Sequence, residues 1–288
     1  MNRTGVREGA GSDASARDRF IVLNGLQFHY LDSGDAGAPP LLLLHGGSAH
    51  AHWWDWFVPK VAERFHVMAL DLRGHGDSAW ADPPAYEIDD YARDVVAFIE
   101  HFDLRGLRLV GHSLGGTIAA TVAAQVGGRL AGLVIVDSRT KAGHDGSRFM
   151  QRLAQMPHPR YRTREHGIAQ YRLLPGDSSA PPDVLAAVAA HALRSSSDET
   201  HWTFKFDRAA LAAIRAHDIA PALAGLRCPI LAVRGGASPL MSDKAIAVLR
   251  AAAPRLEVAT IEGAHHHVML DRPAEFARTV TEFLARTR

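Results

Sequence analysis

The chain has 288 residues, enough for one large domain or a core with an insertion, and nearly half of them are apolar, so it can bury a sizeable core. Basic and acidic residues almost balance at a formal net charge of +1, which argues against nucleic acid as a partner. The single cysteine, Cys228, excludes an internal disulfide and favours a reducing compartment, and we interpret it as a small buried apolar residue.

The start of the chain is polar and rich in glycine and serine, so we expect residues 1–18 to form a flexible tail. This stretch lacks the apolar segment of a signal peptide. No apolar run in the chain approaches the roughly 20 residues of a membrane span. These features predict a cytoplasmic protein without a membrane partner, and the sequence is compatible with a homodimer.

Strand and helix patterns alternate through most of the remaining chain. FIVLNG and LQFHYLDSG predict a hairpin that turns at Asn24-Gly25. The following predicted elements are, in order, strand PPLLLL, strand FHVMAL, helix YARDVVAFIEHF, strand LRLV, helix GTIAATVAAQV and strand LVIV. After an interruption come strand PILAV, helix SDKAIAVLRAAAP, strand LEVAT and helix PAEFARTVTEFLARTR. The pattern predicts an α/β fold, a mostly parallel, doubly wound sheet of eight strands with helices on both faces.

The interruption in this alternation defines the predicted domain organisation. It contains helical patterns, proline-rich turns and scattered aromatic residues, but no convincing parallel strand. We therefore predict a mainly helical cap over residues 139–221, inserted into a core that comprises residues 19–138 and 222–288. Ligands of such sheets bind beyond the carboxyl ends of the strands, so reactive residues that follow strand ends are the candidates for a site.

Ser113 lies in the stretch RLVGHSLGG, within a Gly-x-Ser-x-Gly motif. A predicted strand precedes the motif and a predicted helix follows it, which is the setting of a nucleophile elbow. In such an elbow a strained turn presents the serine, and small neighbours let the strand and the helix approach. The alternative is an ordinary serine cap at a helix N-terminus. The context favours a catalytic nucleophile.

A serine hydroxyl is a weak nucleophile unless a base accepts its proton. The stretch IEGAHHHVML places three histidines after the last predicted strand, and we choose His266 as the base, with His265 and His267 as alternatives. Adjacent histidines project in different directions, so we do not predict a metal site there. For the oxyanion hole we expect the backbone N–H groups of Leu114 and of Gly47, in the turn HGGS.

Four motifs, HGGSAHAHWW, DLRGHGDSAW, GHSLGG and GAHHHVMLDRP, resemble in this order those of the α/β-hydrolase fold superfamily, in its serine-nucleophile branch. The resemblance covers about residues 19–138 and 222–288. In such enzymes the base stands five residues before an acid that is closely followed by proline, as His266 precedes Asp271 and Pro273. The resemblance implies a hydrolase that acts on a small molecule without a metal or organic cofactor.

The catalytic acid departs from this family pattern. Similar enzymes carry an aspartate in the turn after the penultimate strand, where this chain has Ser238 and Pro239, and neither can hold an imidazolium by charge. We favour Asp137 because it ends the strand LVIVD at the catalytic edge of the sheet, and some relatives place their acid after that strand. Asp243, which lies beyond the usual turn and is expected near the start of a helix, is the less favoured acid.

Together these residues predict a serine hydrolase that cleaves a small ester or lactone through an acyl-enzyme on a Ser113–His266–Asp137 triad. A hydrolase of C–C bonds and a cofactor-free perhydrolase are alternatives on the same fold. A non-catalytic receptor for a small ligand is an alternative from a different class. The cap should cover the pocket, and four aromatic side chains are candidates to bind the substrate: Trp54, Tyr171, Trp202 and Phe204.

Overall fold

The computed structural model describes residues 16–138, 147–213 and 217–287. Within these ranges the strands are β1 (Arg17–Leu23), β2 (Leu26–Ser33), β3 (Pro40–Leu44), β4 (His66–Leu70), β5 (Leu107–His112), β6 (Leu130–Val136), β7 (Leu193–Ser195), β8 (Trp202–Phe204), β9 (Ile230–Gly235) and β10 (Glu257–Ile261). One sheet has the order β1-β2-β4-β3-β5-β6-β9-β10. β2 pairs antiparallel with β1 and β4, and the other neighbours in this sheet are parallel. The predicted eight-stranded, mostly parallel sheet is confirmed.

The helices in the same ranges are α1 (Ile88–His101), α2 (Leu114–Val126), α3 (Ser147–Ala154), α4 (Arg164–Ala169), α5 (Pro182–His191), α6 (Ala220–Ala224), α7 (Asp243–Ala252), α8 (Val268–Asp271) and α9 (Pro273–Arg286). Among these helices there is none that combines the length and the apolar character needed to cross a membrane.

Strand β3 shows how both faces of the sheet are covered. Its four leucines, Leu41 to Leu44, have no solvent-exposed surface. Because successive side chains of a strand point to opposite faces, Leu42 and Leu44 pack in the cluster that contains the α1 and α2 side chains, whereas Leu41 and Leu43 pack in the cluster that contains those of α9. Each buried leucine contributes about 1.5–3 kcal/mol, and burial on both faces explains the uninterrupted apolar run.

The N-terminal hairpin has the predicted turn. Asn24 and Gly25 both have positive φ, at 50° and 80°, as the favoured two-residue hairpin turn requires. Strand β1 begins at Arg17, so residues 17 and 18 of the predicted tail belong to the sheet. Residues 1–15 lie outside the described residues.

The predicted cap, residues 139–221, is described in part, because residues 139–146 and 214–216 lie outside the described ranges. It contains α3, α4 and α5, and also the antiparallel pair β7 and β8, which the sequence did not predict. Strands of three residues are too short to show an alternating pattern. The boundaries of the cap stay a prediction.

Hydrogen bonds join the inserted segment to the loop of the core that follows β4. Tyr86 donates its hydroxyl proton to the Asp207 carboxylate across 2.6 Å, and the Asp207 N–H donates to the Gly74 carbonyl. The Trp80 indole N–H donates to the Lys205 carbonyl at 2.8 Å. These bonds fix one side of the inserted segment next to the sheet.

Cys228, predicted to be buried, is half-buried, because it lies two residues before β9 begins and packs only at the edge of a core cluster. This partial burial raises the pKa of its thiol.

Candidate active site

Ser113 occupies the turn between β5 and α2. Its backbone has φ 53° and ψ −115°, a conformation that a residue with a Cβ adopts only when its surroundings impose it. The Ser113 N–H donates to the Val136 carbonyl at 2.9 Å, and the N–H groups of Gly116 and Thr117 donate to the Ser113 carbonyl. The Ser113 side chain makes no helix-capping hydrogen bond. The turn therefore leaves the hydroxyl free for another partner.

The glycines beside Ser113 are required by close backbone approach. A Cβ at Gly111 would lie 2.2 Å from the Gly115 carbonyl oxygen, and a Cβ at Gly115 would lie 2.4 Å from the Leu44 carbonyl oxygen. Both distances are well inside van der Waals contact with backbone that cannot move aside. The motif thus lets β5, β3 and α2 approach one another at the serine.

His266 lies in the loop between β10 and α8, and its Nε2 is 3.0 Å from Ser113 Oγ. Its carbonyl oxygen lies 3.0 Å from His112 Nε2, which can donate to it and hold the loop against the end of β5. Neither alternative histidine forms this contact. The N–H of His265 donates to Asp271, and His267 Nε2 lies 2.8 Å from the Pro175 carbonyl.

Asp137 directly follows β6 and is fully buried. Its Oδ2 is 2.8 Å from His266 Nδ1 and accepts the Ser238 hydroxyl proton at 2.5 Å, while its Oδ1 accepts the Gly235 N–H at 3.3 Å. A buried carboxylate needs such donors to remain charged. With Nδ1 protonated and bonded to Asp137, Nε2 of His266 is the unprotonated nitrogen and faces the Ser113 hydroxyl.

Asp243, the less favoured acid, lies at the start of α7 and points to solvent. Its side chain is 92% exposed and pairs with Arg234. The structure therefore brings Asp137, and not Asp243, to the histidine.

The sequence leads us to reject Ser238 as the catalytic acid and does not predict its hydrogen bond to Asp137. We use Asp271 there only to choose His266 by its spacing along the chain, and predict no contact for its carboxylate. The Asp271 carboxylate accepts the His265 N–H at 2.7 Å and the Ser179 N–H at 2.9 Å, and so joins the loop of His266 to the inserted segment. The position of each residue along the sequence could have indicated a role. Ser238 closely follows the end of β9, and Asp271 follows the candidate base by five residues.

Gly47 and Leu114, the predicted oxyanion-hole residues, line one cavity together with Ser113 and His266. Leu114 is the first residue of α2, where an N–H has no acceptor within the helix. Neither the Gly47 nor the Leu114 N–H donates to an acceptor in the described parts of the chain. Both groups are thus available to a negatively charged oxygen.

The rest of this cavity is mostly apolar, and the inserted segment supplies part of its wall. Its further lining residues are Ser48, Ile88, Thr117, Met150, Leu174, Pro175, Leu211 and Leu240. Tyr171 and Phe204, two of the predicted substrate-binding residues, line a second cavity that shares Ser48, Leu174 and Leu211 with the first.

Two aromatic predictions do not fit these cavities. Trp54 is fully buried against Phe57 and Phe276, because it ends a short 3-10 helix that packs on the sheet, so it is a core residue and not a binding residue. Trp202 lies in β8, exchanges backbone hydrogen bonds with Tyr161 and lines neither cavity.

Buried histidines surround the candidate base. His112, His266 and His267 have nitrogen atoms within 4.8 Å of one another, so they are the residues here that could hold a metal ion. Both nitrogens of His266 are already within hydrogen-bond distance of Ser113 and Asp137, and a metal would displace one of these partners. Burial lowers the pKa of His112 well below its usual value and that of His267 to about 3, so both are neutral at pH 7.

Comparison with known proteins gives a consistent result. The family model for the alpha/beta hydrolase fold matches residues 39–273. An esterase of Mycobacterium tuberculosis is 28% identical over 250 residues, which are 82% of this chain and 79% of the esterase. A crystal structure of E-2-(acetamidomethylene)succinate hydrolase has a TM-score of 0.81 at 24% identity, over 94% of this chain and 100% of that chain. In two other curated relatives the match spans only 36% and 28% of their own length.

Proposed function

This chain belongs to the alpha/beta hydrolase fold family, and we propose that it is a serine hydrolase that cleaves a small ester or lactone through a covalent acyl-enzyme. The observation that carries the proposal is the continuous line of contacts from Ser113 Oγ to His266 Nε2 at 3.0 Å and from His266 Nδ1 to Asp137 Oδ2 at 2.8 Å. This arrangement has the nucleophile, base and orienting acid of a serine triad.

In the proposed reaction, His266 Nε2 accepts the hydroxyl proton while Ser113 Oγ forms a bond to the acyl carbon. The carbonyl oxygen takes the negative charge and is bound by the N–H groups of Gly47 and Leu114. Nε2 then gives its proton to the alkoxide as the bond between acyl carbon and leaving oxygen breaks. A water molecule loses a proton to Nε2, attacks the acyl carbon, and Ser113 leaves with that proton as the acid is released.

Asp137 has two roles in this proposal. Its bond to Nδ1 keeps the tautomer of His266 in which Nε2 can accept a proton, and its charge stabilises the imidazolium that forms transiently. The neutral His112 and His267 beside it add no competing positive charge.

The choice of an ester or lactone has two supports. The lining of the cavity beside Ser113 is mostly apolar, which suits the acyl or alkyl part of a neutral ester. The similar protein from Mycobacterium tuberculosis, which aligns over most of its length, is named an esterase.

A fluorophosphonate probe, which labels activated serines, tests the proposal together with turnover of p-nitrophenyl esters of graded acyl length. Wild type should be labelled and should turn over the short-chain esters, whereas Ser113→Ala should do neither. Ser242→Ala is the matched control, because Ser242 is a true helix cap that accepts the Ala245 N–H. It should lose about 1 kcal/mol of stability and keep full labelling.

Equal labelling of Ser113→Ala and wild type would remove the nucleophile from the proposal. A wild type that binds a ligand tightly but is neither labelled nor able to consume any ester or lactone would instead be a receptor on this fold.

A further inference from the structure

A second cavity lies beside the one that contains Ser113, and we call it the cap cavity. The linings of the two cavities have Ser48, Leu174 and Leu211 in common, so the cavities lie side by side. The remaining lining of the cap cavity is Leu153, Gln170, Tyr171, Arg172, Phe204, Phe206 and Arg208. It combines aromatic and aliphatic walls with two arginines, whereas the described residues that line the cavity beside Ser113 include no lysine or arginine.

Arg208 has no partner for its charge in the described residues. It is half-buried, and its Nη1 is enclosed without a hydrogen-bond acceptor. Its guanidinium forms no ion pair with a carboxylate of a described residue. It stacks on no aromatic ring of the described chain, whereas the Arg194 guanidinium lies 4.1 Å from the centroid of the Trp80 ring.

Arg172, the other arginine of the cap cavity, is exposed. Its Nη1 donates to the carbonyl oxygens of Ala169 and Tyr171, which are neutral acceptors, and no carboxylate of the described chain neutralises it. Among the described residues that line it, the cap cavity therefore has two positive charges and no acidic side chain.

An enclosed guanidinium nitrogen without an acceptor is unfavourable, because the group has left water and gained no hydrogen bond in return. Arginine remains charged in proteins, so it cannot avoid this penalty by losing its proton. A planar carboxylate matches its fork of donors in a bidentate geometry. The aromatic and aliphatic walls of the cap cavity favour a ligand with an apolar body and one such anionic end.

We propose that Arg208, with Arg172 beside it, binds a carboxylate that the substrate carries away from the scissile bond, so that the preferred substrates are esters or lactones with a free carboxylate. The preference among substrates rests on the proposed function, because it assumes that the reaction takes place at Ser113. Binding of a carboxylate in the cap cavity does not depend on that function.

Two pairs of esters that differ only in a remote carboxylate test the proposal. The first is p-nitrophenyl butyrate and p-nitrophenyl hydrogen succinate, with the carboxylate on the acyl side. The second is phenyl acetate and p-acetoxybenzoate, with the carboxylate on the leaving-group side. For each ester, kcat/KM of the variant is divided by kcat/KM of wild type, so that differences in intrinsic reactivity between the esters do not affect the comparison.

Arg208→Gln should lower kcat/KM for the anionic member of at least one pair by about 10–100-fold, the range expected for hydrogen bonds to a charged group. For the neutral member of that pair the change should stay within about threefold, since no charged contact is lost. Arg208→Lys, which keeps the charge but not the planar fork, should restore part of the preference. Arg160→Gln is the matched control, because Arg160 is an exposed arginine of the same segment that contacts His201 outside the cavity.

Binding to catalytically inactive protein separates the two proposals. Ser113→Ala should bind p-acetoxybenzoate or the hydrogen succinate ester in isothermal titration, and adding Arg208→Gln should weaken that Kd at least about tenfold. If this binding is found but wild type consumes no ester and resists the fluorophosphonate, the proposed function fails and the carboxylate site stands.

Three results would overturn the carboxylate site while leaving the hydrolase intact. One is a wild type that consumes neutral esters and neither consumes nor binds the anionic ones. Another is an equal loss of kcat/KM on both members of each pair in Arg208→Gln. The third is the same loss of anionic selectivity in Arg160→Gln.

Discussion

Ser238 Oγ donates a hydrogen bond to Asp137 Oδ2 across 2.5 Å and so joins the turn after β9 to the residue that follows β6. Ser238 and Pro239 are the two positions at which the sequence resemblance implies an aspartate. Here Ser238 supplies a donor to a carboxylate that has no exposed surface and that also faces His266. In the proposed triad, Ser238 is a positioning residue that acts through Asp137.

Ser238→Ala should lower kcat for p-nitrophenyl esters by about tenfold, because one of the donors to a buried carboxylate is lost, and such bonds contribute about 1.5–3 kcal/mol. KM should change little, since Ser238 is not in the lining of the cavity beside Ser113. Ser238→Thr, which keeps the hydroxyl, should retain most of the activity. An unchanged kcat in a folded Ser238→Ala protein would show that Asp137 does not depend on this bond.

Asp137→Asn should lower kcat by about 10⁴-fold with folding intact, because the amide favours the wrong tautomer of His266. Asp243→Asn is the control and should have no effect, since Asp243 points to solvent and pairs with Arg234. Both are measured with the same p-nitrophenyl ester. A large loss in Asp243→Asn, or a loss of less than tenfold in Asp137→Asn, would contradict the assignment of the acid.

The double variant Asp137→Asn/Ser238→Asp tests whether the two positions can exchange the acid. It places a carboxylate at one of the two positions where the resemblance implies one, next to a neutral amide at position 137. We expect kcat to recover at least about tenfold over Asp137→Asn alone, because a restored charge can again hold the imidazolium. No recovery, with the fold intact, would show that the turn after β9 cannot present a carboxylate to His266.

Most of the sheet was predictable from sequence because burial on both faces leaves a local signature, the uninterrupted apolar run of β3 being the clearest case. Ser113 and His266 were identified from strand ends, and the structure places their side chains in contact, while their catalytic roles stay predictions. The contact between Asp137 and Ser238 was not predictable locally. It depends on β6 lying beside β9, which the order of strands along the chain does not specify.

The inserted segment was the least predictable part. Its strands β7 and β8 have three residues each, too few for a period to appear. The prediction that Trp54 binds substrate was wrong. Outside a regular helix or strand the sequence has no periodic pattern that indicates which way an aromatic side chain points, and in the structure Trp54 packs against Phe276 in the core. That Arg208 has no carboxylate partner among the described residues is likewise a property of tertiary contacts alone.

Acidification should destabilise the protein through histidines that the fold keeps neutral. Burial lowers the pKa of His75 to about 3, whereas an unfolded histidine titrates near 6.5. The unfolded state therefore binds more protons below pH 6.5, and stability falls as the pH decreases from about 6.5 toward 3. At pH 5 this one group should cost about 2 kcal/mol relative to pH 7.5.

Urea unfolding between pH 7.5 and pH 5 measures this effect. His75→Gln should flatten the pH dependence of the unfolding free energy by the amount that one histidine contributes, whatever its effect at pH 7.5. His101→Gln, at the exposed end of α1, is the control for replacing a histidine outside the core. Equal slopes for wild type and His75→Gln would show that His75 is protonated or hydrated in the fold.

Arg73 and Asp94 form a buried ion pair that fastens the loop after β4 to α1. Arg73 Nε and Nη2 both donate to the Asp94 carboxylate, and only 5% and 3% of the two side chains are exposed. Asp94→Ala leaves a buried guanidinium without its charge partner, so we expect a loss of about 3–5 kcal/mol in the free energy of unfolding. Glu257→Ala, which breaks the exposed pair with Arg286, should cost less than about 1 kcal/mol. Urea denaturation at pH 7.5 measures both, and similar losses in the two variants would show that Arg73 finds water or another acceptor once Asp94 is removed.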